Sequence, residues 1–147
     1  MKKFLTITSL FLVLSAQAET CPSVDDVQHN RLGEWRVLNA NSGEPLSPAQ
    51  IIKYENKVRY FAEAAYYKGA PEGPAQCYYD GEGEHYHLET YLARYDLMPV
   101  LSRGNWYDRG YGNYDCRHVL VDCQFQKTIM PTAKLANFSS NKAHDFW

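Results

Sequence analysis

The chain has 147 residues, and 15 lysines and arginines against 17 aspartates and glutamates give it a formal charge of −2. That balance excludes the basic footprint of sequence-independent nucleic-acid binding and the polybasic run that holds a protein to an anionic membrane. Tyrosine is abundant, at twelve copies; such rings pack against sheets with the hydroxyl in water, and they are also common at recognition surfaces.

Residues 1–18 read as a secretory signal peptide. Lys2 and Lys3 supply a basic start, Phe4 to Leu14 an apolar run, and Ala16-Gln17-Ala18 the small residues of a cleavage site. The apolar run is too short for a transmembrane helix, so no membrane insertion is expected after cleavage. Glu19 then begins the mature chain, and Cys21 lies too far from the cleavage site to carry a lipid. Loss of the two lysines takes the formal charge from −2 to about −4. The expected product is a single globular domain over 19–126 with a loosely held tail over 127–147, released into the periplasm or secreted further.

Along the mature chain, Pro22 to Asn30 reads as a short helix with Ser23 as its cap and Asp25 and Asp26 in its first turn. Trp35 to Leu38 is a strand, Asn41 to Pro45 a turn, and Ser47-Pro48 starts a short helical turn through Ile51 and Ile52. Val58 to Lys68 carries both helix formers and an alternating pattern; the breaker Gly69 to Pro74 and the strand-like Gln76 to Tyr79 that follow decide for a strand. After the turn Asp80 to Glu84, His85 to Arg94 alternates again, with Tyr86, Leu88, Thr90 and Leu92 facing one way and His87, Glu89, Tyr91 and Ala93 the other. Trp106 to Asp115 reads as a Gly/Tyr/Asn-rich loop, and Val119 to Val121 as an apolar strand ending at Cys123-Gln124-Phe125. The expected architecture is α+β: a small disulfide-stapled antiparallel meander with one or two short helices.

All four cysteines, Cys21, Cys77, Cys116 and Cys123, lie in the mature part, and an even count in an exported chain predicts two disulfides. Three pairings are open; Cys116–Cys123 with Cys21–Cys77 is the favoured one. No C-x-x-C occurs, which excludes a thioredoxin-type pair and fits no zinc spacing.

Catalytic motifs are lacking. There is no G-x-S-x-G, H-E-x-x-H or phosphate-binding glycine loop, and Ser139 to Lys142 matches S-x-x-K without its partner motifs. His85 and His87 fall on one face of a strand, with Glu84, Glu89 and His118 as conceivable further ligands, but H-x-H alone is weak, so no metal and no cofactor is expected. Asp80 to Glu84 and Asp108 to Asp115 mix acids with glycines without the positions a calcium loop needs. Glu63, Glu89 and Asp96 are available carboxylates, yet no spacing pairs two of them as a glycosidase requires. The best candidate recognition surface is the 106–114 loop, where Trp106, Tyr107, Tyr111 and Tyr114 stand between glycines. Next in order come sheet edges near Trp35–Leu38 or Tyr86–Leu92.

Cys21-Pro22 opens the mature chain, Cys77-Tyr78-Tyr79 sits mid-sheet, and Trp106, Cys116 and Cys123-Gln124-Phe125 follow. This C-P…C-Y-Y…W…C…C-x-F layout resembles small exported four-cysteine domains of intracellular bacterial pathogens, among them periplasmic proteins associated with type IVB secretion. The resemblance covers roughly Cys21 to Phe125. It implies no catalytic residue; it implies a structural or partner-binding role in the envelope, in support of secretion and intracellular replication. The expectation is therefore a non-enzymatic periplasmic protein that binds an envelope or secretion-system protein. The alternative is a small exported hydrolase or ligand-binding protein acting on envelope or host material.

Overall fold

A computed structural model describes residues 18–82 and 87–128. Residues 1–17, residues 83–86 with His85 among them, and the chain beyond Thr128 lie outside the described residues.

Helix α1 (Val24–Gln28) begins where the sequence places its cap. Ser23 Oγ accepts from the Asp26 backbone N–H at 3.1 Å, and the Asp26 carboxylate accepts in return from the Ser23 backbone. This reciprocal box satisfies two backbone donors that a helix start leaves orphaned. Strand β1 (Arg36–Asn39) follows, then helix α2 (Pro48–Lys57), opened by the same kind of box between Ser47 and Gln50. α2 is longer than the short turn expected, because Tyr54, one turn beyond Ile51, continues the buried stripe and carries the helix on. It runs into β2 (Val58–Tyr66) with no linker.

β2, β3 (Ala75–Gly81) and β4 (His87–Arg94) form the expected antiparallel meander. β1 pairs with β4 on one side; on the other, β2 pairs with β7 (Asn113–Cys116), which pairs with β6 (Tyr107–Gly110). Among the described residues the sheet order is β1-β4-β3-β2-β7-β6. β5 (Leu97–Pro99) and β8 (Phe125–Lys127) form a separate two-stranded ribbon, and Glu19 is bridged to Phe125 at its side.

The strict alternation expected of β2 fails. Two bulges, between Val58 and Tyr60 and between Phe61 and Glu63, turn a spacing of two into one of three. Val58, Phe61 and Ala64 therefore face the main core, while Tyr60 is exposed.

That core lies on one face of the sheet. It holds Val27 and Tyr54 from the helices, Cys77, Tyr79 and Leu92 from the meander, and Leu97, Trp106 and Phe125 beside the ribbon. Trp35 and Trp106 both meet Phe125 edge-on, with centroids 6.0 and 5.0 Å apart. The cysteines pair as Cys21–Cys77 and Cys116–Cys123, with Cα separations of 5.8 and 5.6 Å. The first staples the segment before α1 to mid-sheet; the second closes a short loop.

Three sequence expectations are corrected here. Residues 107–116 form a β-hairpin rather than a loop. Val119 to Val121 is not a strand: Leu120–Asp122 is a single 3₁₀ turn inside the loop closed by Cys116–Cys123, with Leu120 packed inward and Val119 and Val121 exposed. Of the expected sheet edges, β1 is one, but β4 is interior, and the second edge is β6.

Candidate functional site: the β6–β7 hairpin and its cleft

Neighbouring residues on a strand face opposite sides of the sheet. Cys116 is committed to the disulfide core, so Asp115 faces away, opposite Ala65 on one side and Tyr107 on the other. Ala64 faces the core, so Glu63 also turns to the second face. Both carboxylates are 7 % exposed.

Two arginines cover them. Arg117 Nε donates to Glu63 Oε2 at 2.7 Å and stands 3.7 Å from Asp115 Oδ2. Arg109 donates to Asp115 Oδ2 through Nε at 2.9 Å and also through Nη2. The Asp115 hydrogen bonds raise the pKa of the Arg109 guanidinium, which lies 4.8 Å over the Tyr107 ring. Nearby, burial pushes the Tyr67 hydroxyl up, and the charges of Glu63 and Asp115 push it further. Asn105, Tyr107, Arg109, Asp115, Arg117 and His118 line a cleft of about 380 Å³. Its far wall is tied down by Asn105, whose side-chain amide donates to the Asp122 carbonyl at 3.1 Å.

The hairpin tip is unusual. Gly110, Tyr111 and Gly112 have φ of 86°, 56° and 79°. Glycine takes such values freely. A tyrosine in this region is a genuine outlier, and Tyr111 projects from the tip 99 % exposed. The tip is held from both sides: Asp108 accepts from the Gly110 backbone N–H at 2.7 Å, and Asn113 Oδ1 from the Lys68 backbone N–H at 2.9 Å.

The four candidate aromatics therefore separate. Trp106 is buried and donates through Nε1 to the Gln124 carbonyl at 3.1 Å. Tyr114 is half-buried and packs against the main core. Tyr107 and Tyr111 are exposed, and Tyr107 also lines the cleft. The four cysteines are all in disulfides. The disulfides suit an oxidising compartment, and among the described residues no helix is long and apolar enough to cross a membrane.

His85 lies outside the described residues; His118 lines the cleft, and Glu89 is exposed on β4. Asp96 belongs to a different cluster, around Arg94. Sequence reading missed Arg109, Asp115 and Arg117 as a group. The available signal was the triplet Asp115-Cys116-Arg117, because a strand cysteine buried in a core turns both neighbours to the other face.

No protein-family model, no curated protein and no solved structure matches the chain.

Proposed function

We propose that this chain is a non-enzymatic periplasmic protein that binds an envelope partner through the β6–β7 hairpin, in support of type IV secretion and intracellular replication. The observation that carries the binding reading is Tyr111. A bulky side chain held at φ 56° and fully in solvent costs of order 1–3 kcal/mol of backbone strain and gains no core contact in return. Rigid aromatic anchors of this kind give interfaces large contact area at low entropic cost. The signal-like first eighteen residues and the disulfides support the compartment. The secretion setting rests on the resemblance in cysteine layout to the periplasmic protein EirA, which is associated with type IVB secretion.

The reading as an exported hydrolase or ligand-binding protein has the cleft in its favour. Hydrolysis by Glu63 and Asp115 would need carboxylates open to substrate, whereas both are buried beneath arginines.

Crosslinking and affinity capture from intact envelopes tests the proposal. Tyr111→Gly removes the ring and relieves the backbone, so the variant should be as stable as the parent, or about 1 kcal/mol more stable. Partner capture should fall sharply, and further when Tyr107→Ala is added. Undiminished capture by the double variant would refute the hairpin as the binding surface.

A further inference from the structure

We propose that the cleft beside the hairpin receives a carboxylate from an acidic peptide segment of the partner, held between Arg109 and Arg117. This rests on the reading of the hairpin as a partner surface and specifies the chemistry that surface selects.

The arrangement separates donors from acceptors by depth. The acceptors, Glu63 and Asp115, are buried, with Asp115 lining the cleft, while the Arg109 and Arg117 side chains are 48 % and 67 % exposed. Arg117 makes its hydrogen bond among the described residues through Nε, and neither Nη makes one there. Arg109 spends Nε and Nη2 on one oxygen of Asp115, so Nη1 is likewise left over. A group entering the cleft therefore meets guanidinium N–H donors, and its natural complement is a planar anionic acceptor.

Both guanidiniums are tethered by hydrogen bonds before anything binds. Glu63 and Asp115 stand on paired strands, and the Tyr107 ring supports Arg109 from beneath. Part of the side-chain entropy that long arginines ordinarily forfeit on binding is thereby lost beforehand.

Charge selects within the anions. The lining counts two arginines against Asp115. Glu63 and Asp115 beneath make the site shallow in potential, and the chain as a whole is −2. Glu63 and Asp115 already balance the two guanidiniums, so a single carboxylate is held by directed N–H donors rather than by net charge, and a phosphate dianion or a polyanion is repelled by the buried carboxylates and by the whole-chain field. A peptide source fits the surroundings, since the exposed Tyr107 lines the cleft and the exposed Val119 follows His118 in the chain, offering apolar contact area.

The test uses the full mature chain and two capped serine-rich peptides, one with a single central glutamate and one with a glutamine in its place. The readout is the NMR signals of the Arg109 and Arg117 Nε–H groups. The glutamate peptide should shift both signals in a saturable manner, weaken about tenfold with Arg117→Gln, and be displaced little by inorganic phosphate. The glutamine peptide should leave them unmoved. Equal shifts with both peptides, no shift with either, or stronger displacement by phosphate would overturn the proposal. The comparison of the two peptides on the unaltered chain decides even if Arg117→Gln does not fold. Peptide failure with intact, Tyr111-dependent envelope capture would remove this inference and leave the hairpin reading standing; peptide binding without Tyr111-dependent capture would remove the hairpin reading and, with it, the assignment of the carboxylate to the partner, leaving only the carboxylate specificity of the cleft.

Discussion

Tyr54 and Tyr79 show how one hydroxyl can help or harm according to where it ends. Both rings are buried, and burial pushes both phenols above their ordinary pKa. Tyr79 OH donates to the Pro22 carbonyl at 2.6 Å. Tyr54 OH is buried with no hydrogen-bond partner among the described residues. A buried donor left unpaired forfeits its hydration, whereas a paired one returns about 1 kcal/mol net. The same conservative change should then move stability in opposite directions: Tyr54→Phe raises the unfolding free energy, or leaves it level, and Tyr79→Phe lowers it by about 1 kcal/mol. Urea titration of the two variants against the parent measures both, and a loss with Tyr54→Phe would mean that its hydroxyl is satisfied in solution.

At the scale of elements, the two disulfides differ in the chain they enclose. Cys21–Cys77 spans 56 residues and Cys116–Cys123 spans 7. On loop entropy alone, removing the first as a Cys21→Ala, Cys77→Ala pair should cost about 4 kcal/mol and removing the second about 2 kcal/mol. Denaturant midpoints of the two double variants test that order, and a larger loss from the short bridge would show native-state contacts outweighing loop entropy. The same elements show what sequence periodicity can carry. Ser23 and Ser47 marked both helix starts because capping chemistry is local. The meander β2-β3-β4 was legible from its breakers, but the inward face of β2 was not, since bulges are set by pairing with β3 and leave no local mark. The 107–116 hairpin hid behind Tyr111, which is not a residue expected at positive φ between glycines. Val119 to Val121 has strand composition but no strand to pair with, because Cys116–Cys123 closes the chain around it. Of the site, the exposed tyrosines were readable and the buried charge floor was not: Glu63 and Asp115 meet only once β2 and β7 are side by side.

Over the whole molecule, Arg94 joins segments far apart in the chain. Its side chain is 8 % exposed and reaches Glu19 and Glu34 at 2.5 Å and Asp96 at 2.7 Å, with the guanidinium 5.8 Å from the centre of the Trp35 ring. The Arg94 hydrogen bonds hold the Asp96 carboxyl below its usual 3.8. In α1, Ser23 first and Arg31 second do the same to Asp26. Carboxyls depressed in the folded state contribute stability that is fully present above their unfolded pKa and is lost as pH falls through the lower folded value. The domain should therefore hold a constant denaturant midpoint down to about pH 5 and weaken progressively below the ordinary carboxylate range. Asp96→Asn should flatten that acid limb. An unchanged acid limb in the variant would place the proton uptake elsewhere.

The disulfides join the first cysteine to the second and the third to the fourth, so neither bridge encloses or crosses the other. A chain delivered amino-terminus first and oxidised as each thiol emerges meets its correct partner before any competing one is in reach. Sequential capture by a strong dithiol oxidant then yields the native connectivity directly, and such a protein can mature without the shuffling step that interleaved cysteine frameworks require.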